Sequence, residues 1–163
     1  MNIRNTFLSL SRGVCHKGFY NDGDPKHSLN EIDYTDFFEY PDDNEFPYDS
    51  AWSLLSGSCN IFVLALQKTY KYNPYIIEPI EGAGFHAFCQ IRKQGELYYV
   101  DARGVTSSFD EFMDIAKRFV YGEYIIRPVT TEDEENWEKD DYYEEGFAFA
   151  EAVIKKYSEC YTL

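Results

Sequence analysis

Hydrophobic residues recur at helical spacing in two segments of the chain. Apolar side chains repeat every three or four residues from Cys59 to Tyr70, which predicts a helix over about 59–71 with one buried face. The same spacing runs from Tyr143 to Tyr157 and predicts an amphipathic helix near the C-terminus. Both helices are expected to bury their apolar faces.

Four stretches rich in apolar, aromatic and β-branched residues predict strands. They are 75–80, 84–92, 96–101 and 121–129. Gln94-Gly95 lies between the second and third stretches and supplies the glycine that a tight turn requires. These two stretches therefore predict an antiparallel hairpin.

Two capping patterns predict further helix starts. Ser108 and Glu111 match the reciprocal N-cap pattern, in which each side chain satisfies a free backbone amide, so a helix is expected to about Arg118. Thr131 and Glu134 resemble the same pattern upstream of the C-terminal helix. Together the elements predict an α+β fold, with an antiparallel sheet packed against helices and entered by a core helix that starts at Cys59.

The composition indicates one folded domain with two acidic flanks. The 163 residues are 44% hydrophobic and 18% aromatic, which is ample for one core. The net charge of −14 comes from 21–50, with ten acidic residues and one basic, and from 131–146, with nine and one. Between them, 51–130 has eight of each. The expected parts of the single domain 1–163 are an acidic aromatic layer (21–50), a core (51–130), and an acidic segment with the C-terminal helix (131–163).

The charge and the apolar pattern also exclude some classes of protein. A field of this sign repels nucleic-acid phosphates and favours cationic partners, so direct nucleic-acid binding is not expected. No window approaches the roughly 18 apolar residues of a membrane span, and 1–10 has no continuous apolar run of an export signal. We therefore expect a cytoplasmic protein whose four cysteines are reduced thiols.

The layer 21–50 combines turn formers with aromatic residues. The sequences Asp-Gly-Asp-Pro at 22–25 and Pro-Asp-Asp-Asn at 41–44 accompany six Tyr and Phe residues between Tyr34 and Tyr48. A folded-back irregular layer with one short helix is expected. It either covers an edge of the core or binds a partner.

The start of the core helix carries the first candidate for chemistry. A thiol attacks a carbonyl as thiolate, and a free cysteine, with a pKa of about 8.5, is mostly protonated at neutral pH. Unpaired amides and the helix dipole favour negative charge at Cys59, and the small residues Gly57 and Ser58 let a substrate carbonyl approach. The free amides are candidates for an oxyanion hole, with the Asn60 side chain as a further donor.

His86 is the candidate base for this thiol. It lies in the apolar strand segment 84–88, whereas His16 and His27 lie in polar surroundings rich in Gly and Asp. A general base beside Cys59 would activate it. The alternative is a buried core histidine that is satisfied by a backbone carbonyl.

Asp101 is the candidate orienter of His86, and its position depends on the hairpin turn. With a two-residue turn at Gln94-Gly95, Asp101 lies opposite Phe88 on the face that carries His86. With a three-residue turn it lies on the other face. A carboxylate beside the imidazole would fix its tautomer and stabilise the imidazolium. The alternative is a strand-end residue that caps the next turn and pairs with Arg103.

Cys89 and Cys15-His16 are the remaining Cys and His candidates. Cys89 is three residues from His86 on one strand, so their side chains point to opposite faces, which argues against a catalytic pair and a shared metal site. We expect a buried structural thiol at Cys89. Cys15-His16 lacks the paired spacing of a zinc site, so neither a metal nor another cofactor is expected.

The order of three motifs resembles the papain-like superfamily, especially its transglutaminase-like branch. Gly57-Ser58-Cys59 opens a helix, His86-Ala87-Phe88 lies on a strand, and Tyr98-Tyr99-Val100-Asp101 ends the next strand. The resemblance covers 56–104. It implies a papain-like or transglutaminase-like core.

The resemblance also implies roles for the three residues. Cys59 would be the nucleophile, His86 the general base and acid, and Asp101 the orienter. The leading expectation is a cysteine-dependent hydrolase, a peptidase, isopeptidase, amidase or deamidase, that forms a thioacyl intermediate with a protein or peptide substrate of basic character. The alternatives are an acidic interaction or inhibitor protein that binds a basic partner as a nucleic-acid mimic, and a family member that binds peptides without turnover.

Overall fold

The structure is a computed structural model that describes residues 13–163, and an antiparallel sheet forms its centre. The strands are β1 (His16–Gly18), β2 (Asn73–Pro79), β3 (His86–Lys93), β4 (Glu96–Asp101), β5 (Gly104–Thr106) and β6 (Tyr124–Pro128). They form one six-stranded sheet in the order β1-β5-β4-β3-β2-β6, with every neighbouring pair antiparallel. The predicted α+β class with an antiparallel sheet is confirmed.

Five α-helices and four short 3-10 turns complete the described chain. The helices are α1 (Pro25–Asn30), α2 (Cys59–Tyr70), α3 (Phe109–Phe119), α4 (Thr131–Trp137) and α5 (Tyr143–Lys156). The 3-10 turns are Phe19–Asp22, Tyr34–Asp36, Ala51–Leu54 and Ser158–Cys160. None of the helices in residues 13–163 has the length and apolar character that crossing a bilayer requires.

The hairpin between β3 and β4 has the two-residue turn that fixes the position of Asp101. Lys93 pairs with Glu96, and Gln94 and Gly95 both have positive φ, 52° and 77°, as a type I′ turn requires. The register continues to Cys89 opposite Val100, which places Phe88 opposite Asp101. The two-residue alternative is therefore the correct one. β3 itself begins at His86, later than predicted, because Gly84 with φ +101° takes the chain out of the extended conformation.

The two faces of the sheet bury different helices. Helix α2 packs with the main core, which includes Ala87, Cys89 and Val100. Phe112 and Ala116 of α3 form a second cluster with β-strand residues of the opposite face. Side chains alternate along β3, so His86 points to the α3 face and Cys89 to the α2 face.

The layer 21–50 packs on the C-terminal helix. Tyr34, Phe46 and Tyr48 are buried, and the Tyr34 ring lies 4.9 Å from that of Phe46 and 5.1 Å from that of Phe149 in α5. Edge-to-face contacts of this kind stabilise aromatic clusters. Most aromatic residues of the layer therefore cover the core, although Tyr40 remains 40% exposed.

The helix caps differ from the predicted pattern in two places. The capping box at α4 uses Thr130 and Asp133, one residue earlier than the predicted Thr131 and Glu134, because Asp133 also binds the Arg127 side chain on β6. At α3, the Ser108 hydroxyl accepts from the Glu111 amide as predicted. The Glu111 carboxylate does not return to the cap, because it binds the side chains of His16 and Thr106 instead.

Candidate active site

Cys59 is the first residue of α2 and lies where the helix meets the start of β3. The residue is only 6% exposed. The backbone amide of Ala87 donates to the Cys59 sulfur at 3.4 Å. Gly57, with φ +113°, and Ser58 bring the chain into the helix. The thiol is therefore held at a helix N-terminus beside the strand that carries His86.

His86 is the first residue of β3, and its ring is fully buried. Its Nε2 lies 3.0 Å from Oδ2 of Asp101. The ring stacks on Phe119 at 5.7 Å and lies 5.8 Å from the Phe112 ring, both in α3. Asp101 and two aromatic rings thus fix the orientation of the imidazole, as a catalytic histidine requires.

Asp101 also forms a buried ion pair with Arg103, and the Asp101 carboxylate is enclosed by donors. It accepts from Arg103 Nη2 at 2.7 Å, from Arg103 Nε at 3.1 Å and from the Arg103 backbone amide at 3.0 Å. Both roles considered for this residue therefore occur together. It binds His86, and it also caps the turn and pairs with Arg103.

Arg103 is a residue of the candidate site that the sequence pattern suggests only as a partner of a capping aspartate. It is 1% exposed, donates to the carbonyl oxygens of Glu111 and Phe112 at 3.3 and 2.9 Å, and stacks over the Tyr20 ring at 4.9 Å. Charged residues are rarely buried without a partner. The only available signal was an arginine two residues beyond the aspartate at a strand end.

The neighbouring charges of Arg103, Asp101 and His86 favour the ionised forms of Asp101 and His86. Burial opposes ionisation of Asp101, but the Arg103 charge and the hydrogen bond with His86 hold the pKa of this carboxyl well below its usual range. Burial alone would lower the pKa of His86, but Asp101 and Cys59 raise it to about 9. Both shifts favour the ionised forms, a carboxylate bound to an imidazolium.

The second ring nitrogen of His86, Nδ1, is not used in a structural hydrogen bond within residues 13–163. Nδ1 is buried and makes no hydrogen bond of good geometry with any of residues 13–163. Cys59 nevertheless lies close enough to raise the pKa of the imidazole. Loose geometry between nucleophile and base is common in active sites without substrate.

The oxyanion candidates surround the start of α2. The first helical hydrogen bonds come from Ile61 and Phe62, which both donate to the Ser58 carbonyl, at 3.1 and 3.2 Å. Helix geometry leaves the preceding amides, those of Cys59 and Asn60, without helical acceptors. The Asn60 side chain donates to Asp140 at 3.4 Å, which occupies one of its two N–H groups.

A cleft gives access to the thiol. It has a volume of about 260 Å³, and Cys59 and Gly57 line it together with Leu55, Gly84, Phe85 and Phe119. Phe85 is backed by a stacked Trp137 ring at 5.7 Å. The Phe119 that lines this cleft also stacks on His86, so the cleft reaches the same side of the site as the base.

The other cysteines differ from Cys59. Cys89 is fully buried, its sulfur lies 3.7 Å from the Val63 carbonyl oxygen, and burial strongly raises the pKa of its thiol. Cys15 is exposed and Cys160 is 9% exposed. No group of three or more His, Cys, Asp or Glu within residues 13–163 could hold a metal ion.

The acidic flanks meet beside the site. The Tyr142 hydroxyl donates to Asp43, and the Tyr142 and Phe46 rings lie 5.3 Å apart. Asp140, from the same flank as Tyr142, binds Asn60 next to Cys59. Two acidic segments that are far apart in the sequence therefore form one surface at the N-terminus of α2.

Comparisons with protein-family models, with curated proteins and with solved structures found no match. The candidate site therefore stands on its own residues, distances and charges.

Proposed function

We propose that the protein is a thiol-dependent amide hydrolase in which Cys59, His86 and Asp101 act together. The observation that carries the proposal is a buried imidazole whose Nε2 lies 3.0 Å from Asp101 and whose pKa is raised by both Asp101 and Cys59. Arg103 is a positioning residue, because it holds the Asp101 carboxylate without reaching Cys59. This is the order nucleophile, base and orienter that covalent hydrolysis requires.

The reaction would proceed through a thioester. The Cys59 thiolate attacks the amide carbonyl carbon, and the backbone amides at the start of α2 stabilise the oxyanion. The His86 imidazolium gives its proton to the leaving nitrogen as the C–N bond breaks. Water then attacks the thioester and gives its proton to His86, which releases the acid and restores the thiolate–imidazolium pair.

The papain-like or transglutaminase-like core belongs to the same proposal. It is supported by the order of elements, a helix that begins at the cysteine followed by an antiparallel hairpin that carries the histidine and the aspartate. The acidic surface beside Asn60 favours a substrate of basic character. Peptidase, isopeptidase, amidase and deamidase activities all fit this chemistry.

Selective alkylation tests the proposal. At about pH 6 an ordinary thiol is only about 0.3% thiolate, so iodoacetamide reacts slowly with it. We expect Cys59 to be labelled at least about tenfold faster than Cys15 in a peptide map read by mass spectrometry. Accessibility alone gives the opposite order, because Cys15 is exposed and Cys59 is 6% exposed.

Two controls make the labelling decisive. Cys160, at 9% exposed, is buried to nearly the same degree as Cys59 and should stay unlabelled over the same time. His86→Gln, which keeps a polar side chain without an imidazolium, should reduce Cys59 labelling to the rate of Cys160. Labelling of Cys59 that is unchanged in His86→Gln would refute a nucleophile activated by this histidine.

A second candidate function is an acidic protein that occupies a basic, nucleic-acid-binding surface. The contact between Asp43 and Tyr142 brings the two acidic flanks together, which favours this second candidate. The Cys59→Ser variant should then still compete with duplex DNA for a basic DNA-binding protein. Competition should weaken steeply as salt rises from about 50 to 200 mM, because screened charges carry it. Loss of competition in Cys59→Ser would contradict this candidate.

A further inference from the structure

Five large apolar side chains are exposed at the β6 end of the sheet, where Tyr124 and Ile126 lie on one face of the strand and Ile125 on the other. They are between 36% and 76% exposed. The members are Ile80, Tyr121, Tyr124, Ile125 and Ile126, and we call them the β6 edge patch. Large apolar side chains exposed together along an edge strand commonly mark an interaction site.

Within residues 13–163, the main chain of β6 is also open on one side. Among these residues, strand β6 ends the sheet and pairs only with β2. Ile80 N donates to Glu123 O at 2.8 Å and Val129 N to Pro74 O at 3.0 Å, which fixes the alternation of the antiparallel ladder. The amides of Ile125 and Arg127 therefore face β2. Those of Tyr124 and Ile126 face outward, where they can pair with another strand.

A hollow beside this edge carries unpaired negative charge. It has a volume of about 320 Å³ and is lined by Ile80, Glu81, Tyr121, Gly122 and Glu123. Neither Glu81 nor Glu123 forms an ion pair with any of residues 13–163. Two carboxylates between an aliphatic and an aromatic side chain match a Lys or Arg side chain, which has an apolar stem and a cationic head.

Charge decides between the two natural occupants of a free sheet edge. A second copy of the chain would bring another net charge of −14 and the same two carboxylates against this edge. A cationic peptide would instead be attracted by both. The charge therefore favours a peptide.

We propose that the β6 edge patch binds an extended, Lys- or Arg-containing polypeptide segment as a seventh strand. Main-chain hydrogen bonds to Tyr124 and Ile126 would hold it, and the hollow would take one cationic side chain. Ile126 pairs with Ile77 and Ile77 with His86, so the edge lies two strand spacings, roughly 10 Å, from the candidate base. That the segment belongs to a substrate rests on the proposed function; the binding itself does not.

The experiment measures binding without thiol chemistry. The probe is a fluorescent eight-residue peptide of alternating Val and Lys, and its binding to the Cys59→Ser variant is followed by anisotropy. The same peptide with Glu in place of Lys serves as the charge control. We expect the Lys peptide to bind, the Glu peptide not to bind, and Glu81→Gln with Glu123→Gln to weaken the Lys peptide severalfold.

A matched pair of variants isolates the main-chain contact. Ile126→Ala and Ile126→Pro both remove the side chain, but only proline removes the outward N–H, and neither removes a hydrogen bond to β2. We expect Ile126→Pro to bind at least about fivefold more weakly than Ile126→Ala, the loss of about one hydrogen bond. Peptides methylated on alternate amides give a second test that changes no protein residue, because methylation in only one of the two phases should abolish binding.

Three results would overturn the inference. They are equal affinity of the two Ile126 variants with no effect of amide methylation, absence of binding by the Lys peptide, and a dimer in sedimentation that Ile126→Pro disperses. The last would assign the edge to a second copy. Peptide binding without selective Cys59 labelling would refute the proposed function alone, and the reverse would refute the seventh strand alone.

Discussion

Removing one partner of the Asp101–Arg103 pair is expected to lower the free energy of unfolding more than removing both partners. Asp101→Asn leaves a buried guanidinium without its carboxylate, and Arg103→Met removes both side-chain donors, at 2.7 and 3.1 Å, from a buried carboxylate. Breaking a buried pair in this way costs about 3–5 kcal/mol. Replacing both partners by neutral groups avoids the uncompensated charge.

The size of each stability loss depends on which buried charged group remains and on the hydrogen bonds that it keeps. Arg103→Met should be the milder single change, because the Asp101 carboxylate keeps the hydrogen bond to His86 at 3.0 Å. Asp101→Asn should be the more severe, because the Arg103 guanidinium then keeps only the carbonyl oxygens of Glu111 and Phe112. We expect the double variant to be more stable than the sum of the single effects implies by about 2 kcal/mol or more.

Urea unfolding of the four proteins at neutral pH measures this coupling. The free energy of unfolding is taken from the linear dependence on urea, with similar slopes required across the set. Effects that add to within about 0.5 kcal/mol would refute the pair as a coupled unit. A matched control is the exposed pair of Lys117 and Asp114, at 3.4 Å, for which the same cycle should give at most about 1 kcal/mol.

Three further outcomes are expected. The pKa of His86 in the folded protein is raised to about 9, so its stabilising contribution is complete below about pH 6.5 and is lost as pH rises toward 9. In His86→Gln, the free energy of unfolding measured in urea should therefore fall less between about pH 6.5 and 9. Gly146→Ala should destabilise by about 1–3 kcal/mol in urea, because its Cβ would overlap the Tyr48 hydroxyl, and an unchanged midpoint would contradict this packing. Gly84→Ala should slow iodoacetamide labelling of Cys59. Residue 84 has φ +101°, and an added Cβ would lie 2.8 Å from the Phe119 carbonyl oxygen at the cleft. Labelling of Cys59 at the original rate would contradict this prediction.

Local patterns predict the elements of this fold well where one physical cause dominates. The apolar repeat from Cys59 predicts α2 to within a residue, and Gln94-Gly95 predicts the hairpin. The pattern leaves the register open between a two-residue and a three-residue turn, and the structure has the two-residue turn. The boundaries of α4 and β3 are harder to predict from the sequence. At α4 the cap is Thr130 because Asp133 also accepts hydrogen bonds from Arg127 on β6. A contact of this kind cannot be predicted from the capping pattern alone.

The site shows the same division. The helix start at Cys59 and the strand position of His86 are local features that the sequence predicts, whereas the face of Asp101 depends on the turn length. Arg103 and the joined acidic flanks depend on side chains that tertiary packing brings together. An arginine is expected at the surface by default, so its burial beneath Asp101 could not be anticipated from the residue alone.

The double variant of Asp101 and Arg103 also separates the two roles of the carboxylate. As a structural residue, Asp101 serves only to neutralise Arg103, so Asp101→Asn with Arg103→Met should restore folding and leave Cys59 labelling unchanged. As an orienter, it stabilises the His86 imidazolium, so the same folded variant should lose selective labelling at about pH 6. Because Asp101 binds Nε2 of His86, and the proposed function has the same imidazolium activate Cys59, we expect the second result, with stability recovered and thiol reactivity lost in one protein.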